Sequence, residues 1–417
     1  MKSKLMPIIF LGISSLLNAQ EYSIKELESQ FIQNNTQLLA SKFNIDQAQA
    51  QIIQEKLWPN PTLSISEVNL WKTYNIEQQP YLFGNYGNNQ QISVELEQLI
   101  ETAGKRKKRI ALKKLEHQSA VYEYEELLRE LRKELRLTFY HLQHIQQEEL
   151  LINEIVALYE QMNEQYKKQA HKNHIPLADF YRIQSELVAL KSELLERENE
   201  RFQVLNKLRI LTHNPSLQIQ QITFNPLRNN KVEKIPNNIS EIALQKNIGL
   251  QKNAIEYKKA HEVLLLEKAH KTPDLVLQLN YDRGGNIMRD FVGLGVSFDI
   301  PIFNSNKGNI KAAAIGLEQQ QYNKQTLENN LLQTLSQLQN QLQTVEQMLQ
   351  SWPENQLENH KLMLSNFKKH LQNKNITLLE FIDYTQAYYQ ANKAYLQLQQ
   401  TYHNTFEEIQ YIVGQDF

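Results

Sequence analysis

The stretch VELEQLIETAGKRKKRIALKK, Val94 to Lys114, decides how this chain folds. It opens with alternation: Ile92, Val94, Leu96 and Ile100 are apolar, whereas Ser93, Glu95 and Glu97 between them are polar, which is the period of a β-strand. Small residues, Ala103 and Gly104, follow. Then comes a basic run, Lys105 to Arg109, which opens a long helical pattern. The same passage returns at VSFDIPIFNSNKGNIKAAA, Val296 to Ala314. A chain that makes one strand-to-helix transition twice is a candidate duplication, and a repeat must be settled before its elements are read singly.

Working outward from the two passages, the halves align. Asn35 falls on Asn247, Leu38 on Leu250, Ala48 on Ala260, Glu55-Lys56 on Glu267-Lys268 and Pro61 on Pro273. Past the strands, Leu96 falls on Phe298 and Glu97 on Asp299, and IPLADF at Ile175–Phe180 falls on ITLLEF at Ile376–Phe381. The offset shrinks by about ten residues across the strands, so the first half is expected to carry that much extra chain between its two strands.

Each half reads as helix, strand pair, very long helix and return helix. The first repeat, 20–211, has a helix over 23–57, strands at 62–70 and 91–100 (the pair 62–100), a long helix over 104–168 and a return helix over 176–211. A linker rich in Asn, Gln and Pro follows at 212–236. The second repeat, 237–417, has a helix over 238–270, strands at 274–281 and 291–303 (the pair 274–303), a long helix over 306–371 and a return helix over 377–413. Pro59, Pro61 and Pro273 end the lead helices before the strands. Leu331, Leu335, Leu338, Leu342, Val345 and Leu349 step by four and three, a helical seam, and Pro353 is expected to interrupt that helix. At 1.5 Å per residue each long segment reaches on the order of 100 Å.

Composition agrees with long helices. Glycine is scarce, 12 of 417 residues, against a usual ~7%. The formal charge of −1 gives no basic field for nucleic acid. Cysteine is absent, which removes disulfides, thiolate metal sites, cysteine nucleophiles and a lipidated N-terminal cysteine. The start, MKSKLMPIIFLGISSLLNAQ, has Lys2 and Lys4, an apolar core from Leu5 to Leu17 and a small-residue exit, and reads as a signal peptide over 1–19.

The strands bear on location. Val292, Leu294, Val296, Phe298, Ile300 and Ile302 alternate with Phe291, Gly293, Gly295, Ser297 and Asp299; Leu275, Leu277, Leu279 and Tyr281 alternate with Val276, Gln278 and Asn280. Such alternation suits a strand with lipid on one side and water on the other, and also a half-buried soluble sheet. Four strands cannot close a barrel, and the sequence holds no others to complete a sandwich. Three copies would supply twelve. The basic run after the second strand suits a membrane exit, although a solvated helix face carries such charges too.

PNPTLSISEVN, then ISVELEQLIETAGKRKKRI, then a long helix, with FDIPIFNSNKGNIKAA in the second half, closely resembles the TolC-type outer-membrane efflux family, most of all its CzcC-like cation-resistance branch. The resemblance covers essentially the whole chain after residue 19. It implies a mainly α fold with a small β part: duplicated long-helix hairpins forming a trimeric α-helical barrel, and four strands per chain completing a twelve-stranded transmembrane β-barrel. It further implies a homotrimer in the outer membrane of a Gram-negative bacterium, reaching through the periplasm to a periplasmic adaptor (membrane fusion protein) and an inner-membrane efflux pump, with metal cations as one candidate substrate. The turns at the tunnel's far end would dock the adaptor, here Asn173, His174, Ile175, Pro176 and Lys374, Asn375, Ile376, Thr377. Acidic residues past the turn would ring the entrance: Glu380, Asp383 and, in the first half, Asp179. Where the family usually places glycine in each turn, this chain has Asn173 and Lys374, which puts the usual tip geometry in question.

No catalytic constellation emerges, and no cofactor is expected. AGKRK lacks the upstream glycine and the Ser/Thr of a phosphate loop. His141 with His144, and His171 with His174, are spaced to share a helix face but have no third ligand. Glu125-Glu126 and Glu148-Glu149 read as solvated faces among compensating Lys and Arg. Glu380 and Asp383, one helical turn apart, share a face. The competing readings are a periplasmic adaptor, which would normally have one hairpin flanked by small β-domains, and a surface coiled-coil scaffold, which would not need the four alternating strands.

Overall fold

A computed structural model of the chain describes residues 21–66, 81, 91–224, 230–283, 290–352 and 356–417; the expected signal peptide and Pro353 lie outside them. In chain order the elements are α1 (Ile24–Asn34), α2 (Thr36–Glu55), β1 (Thr62–Ser66), β2 (Ile92–Ile100), α3 (Lys105–His171), α4 (Leu177–Thr212), α5 (Ile239–Lys246), α6 (Ile248–Ala269), β3 (Leu275–Arg283), β4 (Phe291–Ser297), α7 (Lys307–Gln350), α8 (Gln356–Gln372) and α9 (Leu378–Val413). Short 3₁₀ turns lie at Ile219–Gln221 and Val232–Lys234, in the stretch expected as linker. Among the described residues no helix is long and apolar enough to cross a membrane.

The lead helix of each half differs from its expectation: it is two helices, broken at Asn35 and at Asn247. Both asparagines leave the helical backbone, at ψ 113° and 124°. Each is held there by its side chain. Asn35 Nδ2 donates to the Leu211 carbonyl at 3.0 Å and Asn247 Nδ2 to that of Ile412 at 2.8 Å, in the last turns of α4 and α9. Those carbonyls lack helical partners, so an amide that reaches them satisfies two needs at once. Asn247 Oδ1 also accepts from Leu250 N at 3.0 Å and caps α6. Both return helices then end on a left-handed residue, His213 (φ 52°) and Gly414 (φ 80°). At Gly414 a Cβ would stand 2.3 Å from the Lys246 carbonyl oxygen, so only glycine fits.

The chain forms two compact units. One comprises Met1–Thr36 (described from residue 21), Glu130–Ile235 and Leu338–Ile409; the other comprises Gln37–Arg129, Pro236–Gln337 and Gln410–Phe417. Each unit draws segments from both halves of the sequence, and α3 and α7 lend residues to both units.

The second unit contains the sheet, antiparallel throughout in the order β1-β2-β3-β4. Its register lines up the pattern read from sequence. Leu63, Leu96, Leu279 and Leu294 stand in one cross-strand row, and Ile65, Val94, Tyr281 and Val292 in the next. On the opposite face the rows are Thr62, Glu97, Gln278, Gly295 and Ser64, Glu95, Asn280, Gly293. Leu63, Ile65, Val292, Leu294 and Val296 are exposed in the single chain, Leu294 at 88%. The polar face instead bonds to itself: Gln278 Nε2 to Glu97 Oε1 at 2.8 Å and Ser93 Oγ to Asn280 Oδ1 at 3.2 Å.

The last strand is shorter than expected. β4 stops at Ser297, not at 303, because the β3 register ends at Val276 opposite Ser297 and Pro301 has no N–H to add to a ladder. Phe298, Ile300, Ile302 and Phe303 continue the chain exposed.

The first unit holds a buried apolar cluster. Leu151, Ile152, Ile155, Val156, Tyr159 and Met162 of α3 pack with Ile183 and Leu187 of α4, Leu364 of α8, and Leu378, Phe381, Ile382, Tyr388 and Tyr389 of α9. On the α3 face the spacing of three and four seats the stripe continuously against its neighbours.

Candidate channel wall and hairpin tips

The strand-to-helix junctions come first, because they carry the chain out of the sheet. Between β2 and α3 the backbone turns through two left-handed residues, Ala103 (φ 51°) and Gly104 (φ 67°). The basic run secures this turn. Lys105 is buried, 2.8 Å from Asp274 at the foot of β3, and donates to the Thr272 carbonyl at 2.7 Å. Lys108 Nζ donates to the Ala103 carbonyl at 2.7 Å. Arg109 pairs with Glu101 and, at 2.6 Å, with Glu55 at the end of α2, while Arg106 lies over the Trp58 ring at 4.5 Å. Four of the five basic residues are therefore staples of the junction. Lys107 is exposed and, among the described residues, makes no such bond.

In the second half, Asn306 takes the left-handed position at φ 59°, and its amide reaches Glu267 Oε2 at 2.6 Å and the Glu267 carbonyl at 2.8 Å. Glu55 and Glu267 were aligned by sequence. Each ties a lead helix to the start of the long helix beside it.

At the other end of the long helices are the tips. Asn173 and Lys374, the residues standing where glycine is usual, both adopt the left-handed backbone, at φ 56° and 59°. At tip one, His174 N donates to the Gln169 carbonyl at 2.9 Å and Asn173 N to that of Ala170 at 3.0 Å; at tip two, Asn375 N donates to His370 at 2.8 Å and Lys374 N to Leu371 at 3.0 Å. These paired closures are Schellman motifs, so both tips have one geometry without glycine. Pro176 precedes α4 with an extended backbone, while Thr377 caps α9. Ile175 and Ile376 are half-buried; the other tip residues, His174, Pro176, Asn375 and Thr377 among them, are exposed.

The acidic candidates lie just behind. Glu380 is exposed, and its Oε2 accepts from Thr377 N at 2.7 Å and from Thr377 Oγ1 at 2.9 Å, while Thr377 Oγ1 accepts from Glu380 N at 3.2 Å. This is a capping box, and its hydrogen bonds hold the Glu380 carboxyl below the usual carboxylate range. Asp383, a turn on, is exposed, and Asp179 is half-buried. Capping consumes hydrogen-bond capacity of Glu380 but keeps its charge.

Sequence reasoning missed the buried ionic nodes of the first unit. Glu148, expected on a solvated face, is 1% exposed, because the α3 face bearing it is covered. His144 Nε2 stands 3.6 Å from its Oε1 and Arg197 Nη1 3.6 Å from its Oε2. Burial pushes the Glu148 carboxyl up and the His144 imidazole down to about 4. In a second node Glu407 pairs with Arg136 at 3.0 Å and with Lys231 at 3.5 Å, and Arg136 also holds Glu28 at 2.5 Å. Burial lowers the Lys231 ammonium to about 8 as it lies over the Tyr140 and Phe406 rings, at 4.8 and 4.6 Å. His403, stacked on Tyr140 at 4.6 Å, is pushed down to about 2 by burial. The i, i+4 spacing within one helix could have flagged His144 and Glu148; nothing local marks Lys231, because its partners come from distant helices. Of the other histidines weighed, His141 bonds Glu200 at 2.9 Å, and His171 and His174 are exposed at tip one. Among the described residues, no three His, Asp or Glu side chains gather as a metal site.

A sheet with an exposed apolar face, feeding long helices that end in two matched tips, is the protomer of a channel. Residues 27–212 and 239–415 match the outer membrane efflux protein family, and the chain belongs to it. It is an outer-membrane efflux channel protein that extends into the periplasm. No curated protein matches the chain by sequence. Solved structures match its fold over 94% of its length: CusC, at 16% identity, TM-score 0.76 and 92% of that chain; the CmeC outer membrane channel of Campylobacter jejuni, at 14%, 0.75 and 85%; and the open-state MtrE outer membrane channel of Neisseria gonorrhoeae, at 16%, 0.73 and 89%. The fold is thus mainly α with a small β part, the long-helix hairpins contributing to a helical barrel and the four strands to a transmembrane β-barrel.

Proposed function

We propose that the chain is the exit duct of a tripartite efflux system. Three copies close a twelve-stranded barrel in the outer membrane, and solutes delivered by a periplasmic adaptor and an inner-membrane pump pass through passively, with no catalysis by the duct. One observation carries this reading: among the described residues, the four-stranded sheet has two unpaired edges, β1 and β4, beside a face of exposed leucine, isoleucine and valine. Open edges are not tolerated in lipid, because each unpaired N–H and C=O there costs several kcal/mol. Pairing β4 of one copy with β1 of the next removes every edge. The Asn173–Pro176 and Lys374–Thr377 turns are the adaptor-facing end, and Glu380, Asp383 and Asp179 form acidic rings behind it that favour cations. Metal cations are the substrate class put forward, supported by those carboxylates and by the resemblance of the two strand-exit motifs to the cation-resistance branch.

The duct is tested by purification without residues 1–19. A detergent-dependent, heat-resistant trimer that conducts in planar bilayers is expected; a monomer freely soluble in plain buffer would end the reading. The rings are tested by Glu380→Ala with Asp383→Ala, which should lower the preference for cations over anions. Unchanged selectivity in a conducting trimer removes the rings and leaves the duct.

A further inference from the structure

We propose that the two tips form a cationic collar that selects a partner whose helical hairpin ends in acidic residues, a proposal that deepens the adaptor-docking reading above and rests on it. From Lys167 to Leu177 the formal charges are Lys167, Lys168 and Lys172; from Lys368 to Leu378 they are Lys368, Lys369 and Lys374; neither stretch contains Asp or Glu. All are exposed except Lys368, which is half-buried and donates to Gln161 Oε1 at 2.8 Å. Among the described residues none of the six is ion-paired to a carboxylate. Among the described residues, the acidic groups bordering the collar are not paired with its lysines. Glu380 is folded back onto Thr377, Asp383 is a turn further along α9, and Asp179 and Glu164 lie beyond the two ends of tip one.

Lys374 supplies the second observation. A left-handed backbone costs an L-residue roughly 1–2 kcal/mol that glycine does not incur. The two bonds closing tip two run between backbone groups, so glycine would make them equally well. The lysine side chain is therefore not required by the turn, and strain retained at an exposed position points to use of that side chain. The partner is a protein hairpin rather than a lipid or glycan surface, because the same tips present exposed leucines, Leu177 and Leu379, beside the cations. A cationic rim around apolar contacts matches an amphipathic hairpin bearing carboxylates.

The full-length trimer in detergent is immobilised and offered two synthetic helical hairpins that differ only in having four glutamates or four glutamines in the loop. The acidic hairpin should bind at least tenfold more tightly at low salt, and the difference should shrink as salt rises, as screening requires. Lys167→Gln, Lys168→Gln and Lys172→Gln combined with Lys374→Gly, which keeps the turn, should abolish that preference while the trimer and its conductance persist. Equal binding of the two hairpins, binding of neither, an unaltered preference in the variant, or tighter binding to anionic vesicles or cell-wall fragments would each overturn the proposal. The duct reading falls separately, on loss of trimer or conductance in the unsubstituted protein.

Discussion

The helical core and the sheet place the same kinds of side chain on opposite sides of a boundary. In the core, Ile152, Ile183 and Phe381 are fully buried among α3, α4 and α9, and buried charged residues such as Glu148 and Glu407 sit in paired nodes. In the sheet, Leu63, Leu279 and Leu294 are exposed, and it is Glu97, Gln278, Ser93 and Asn280 that bond to one another. The helical core buries these residues within one chain. A sheet that displays them and bonds its polar face is built for a solvent other than water on the displayed side, and for a neighbour at each open edge.

Charge on the displayed face should break this contrast most severely. Leu294→Arg costs about 2–4 kcal/mol in each chain of an assembled barrel if it sits near mid-bilayer. Loss of heat-resistant trimer from the outer-membrane fraction is the expected result, with α-helical circular dichroism retained. Asn280→Arg, on the other face, should assemble. Equal behaviour of the two variants would erase the assignment of faces.

Truncation in the core should do the reverse. Phe381→Ala removes a fully buried ring and should destabilise the helical region by about 3–5 kcal/mol, read as an earlier transition in urea. The barrel's resistance to heat in detergent should change little.

Acid should sharpen the contrast further, since the depressed histidines belong to the helical unit. His144 and His403 are held neutral by burial, at about 4 and about 2 against an unfolded value near 6.5. A depressed folded value means stability present above pH 6.5 and lost as pH falls toward the folded value. Glu148, pushed up, acts in the opposite sense and offsets part of the loss. A net loss of about 1–3 kcal/mol between pH 7 and 4.5 is expected in the helical transition. His144→Gln with His403→Gln should flatten it. A slope that survives both substitutions would assign it to other groups.

Much of this was legible in one dimension. Alternation at Ile92–Ile100 and at Leu275–Tyr281 gave strands with the right faces, and the seam from Leu331 to Leu349 gave α7, because side-chain periods of two and about three and a half are local properties. Breaks at Asn35 and Asn247 were not legible, although both residues were aligned, because each depends on a carbonyl some 165 or more residues away. The end of β4 at Ser297 was missed for a similar reason: Phe298, Ile300 and Ile302 continue the alternation, but the strand opposite has ended. At the tips, Asn173 and Lys374 raised a doubt that only backbone dihedrals could answer.

The sequence by itself determined the order of elements, the two-faced strands, the matched junctions and the lysines of the tips. Those follow from spacing and composition along the chain. The tertiary structure alone decided that Lys105, Lys108 and Arg109 secure the turn out of the sheet, that Glu148 and Lys231 are buried, and that Glu380 caps a helix while retaining its charge. Each of those depends on which distant groups come within hydrogen-bonding reach, and folding, not local pattern, sets that distance.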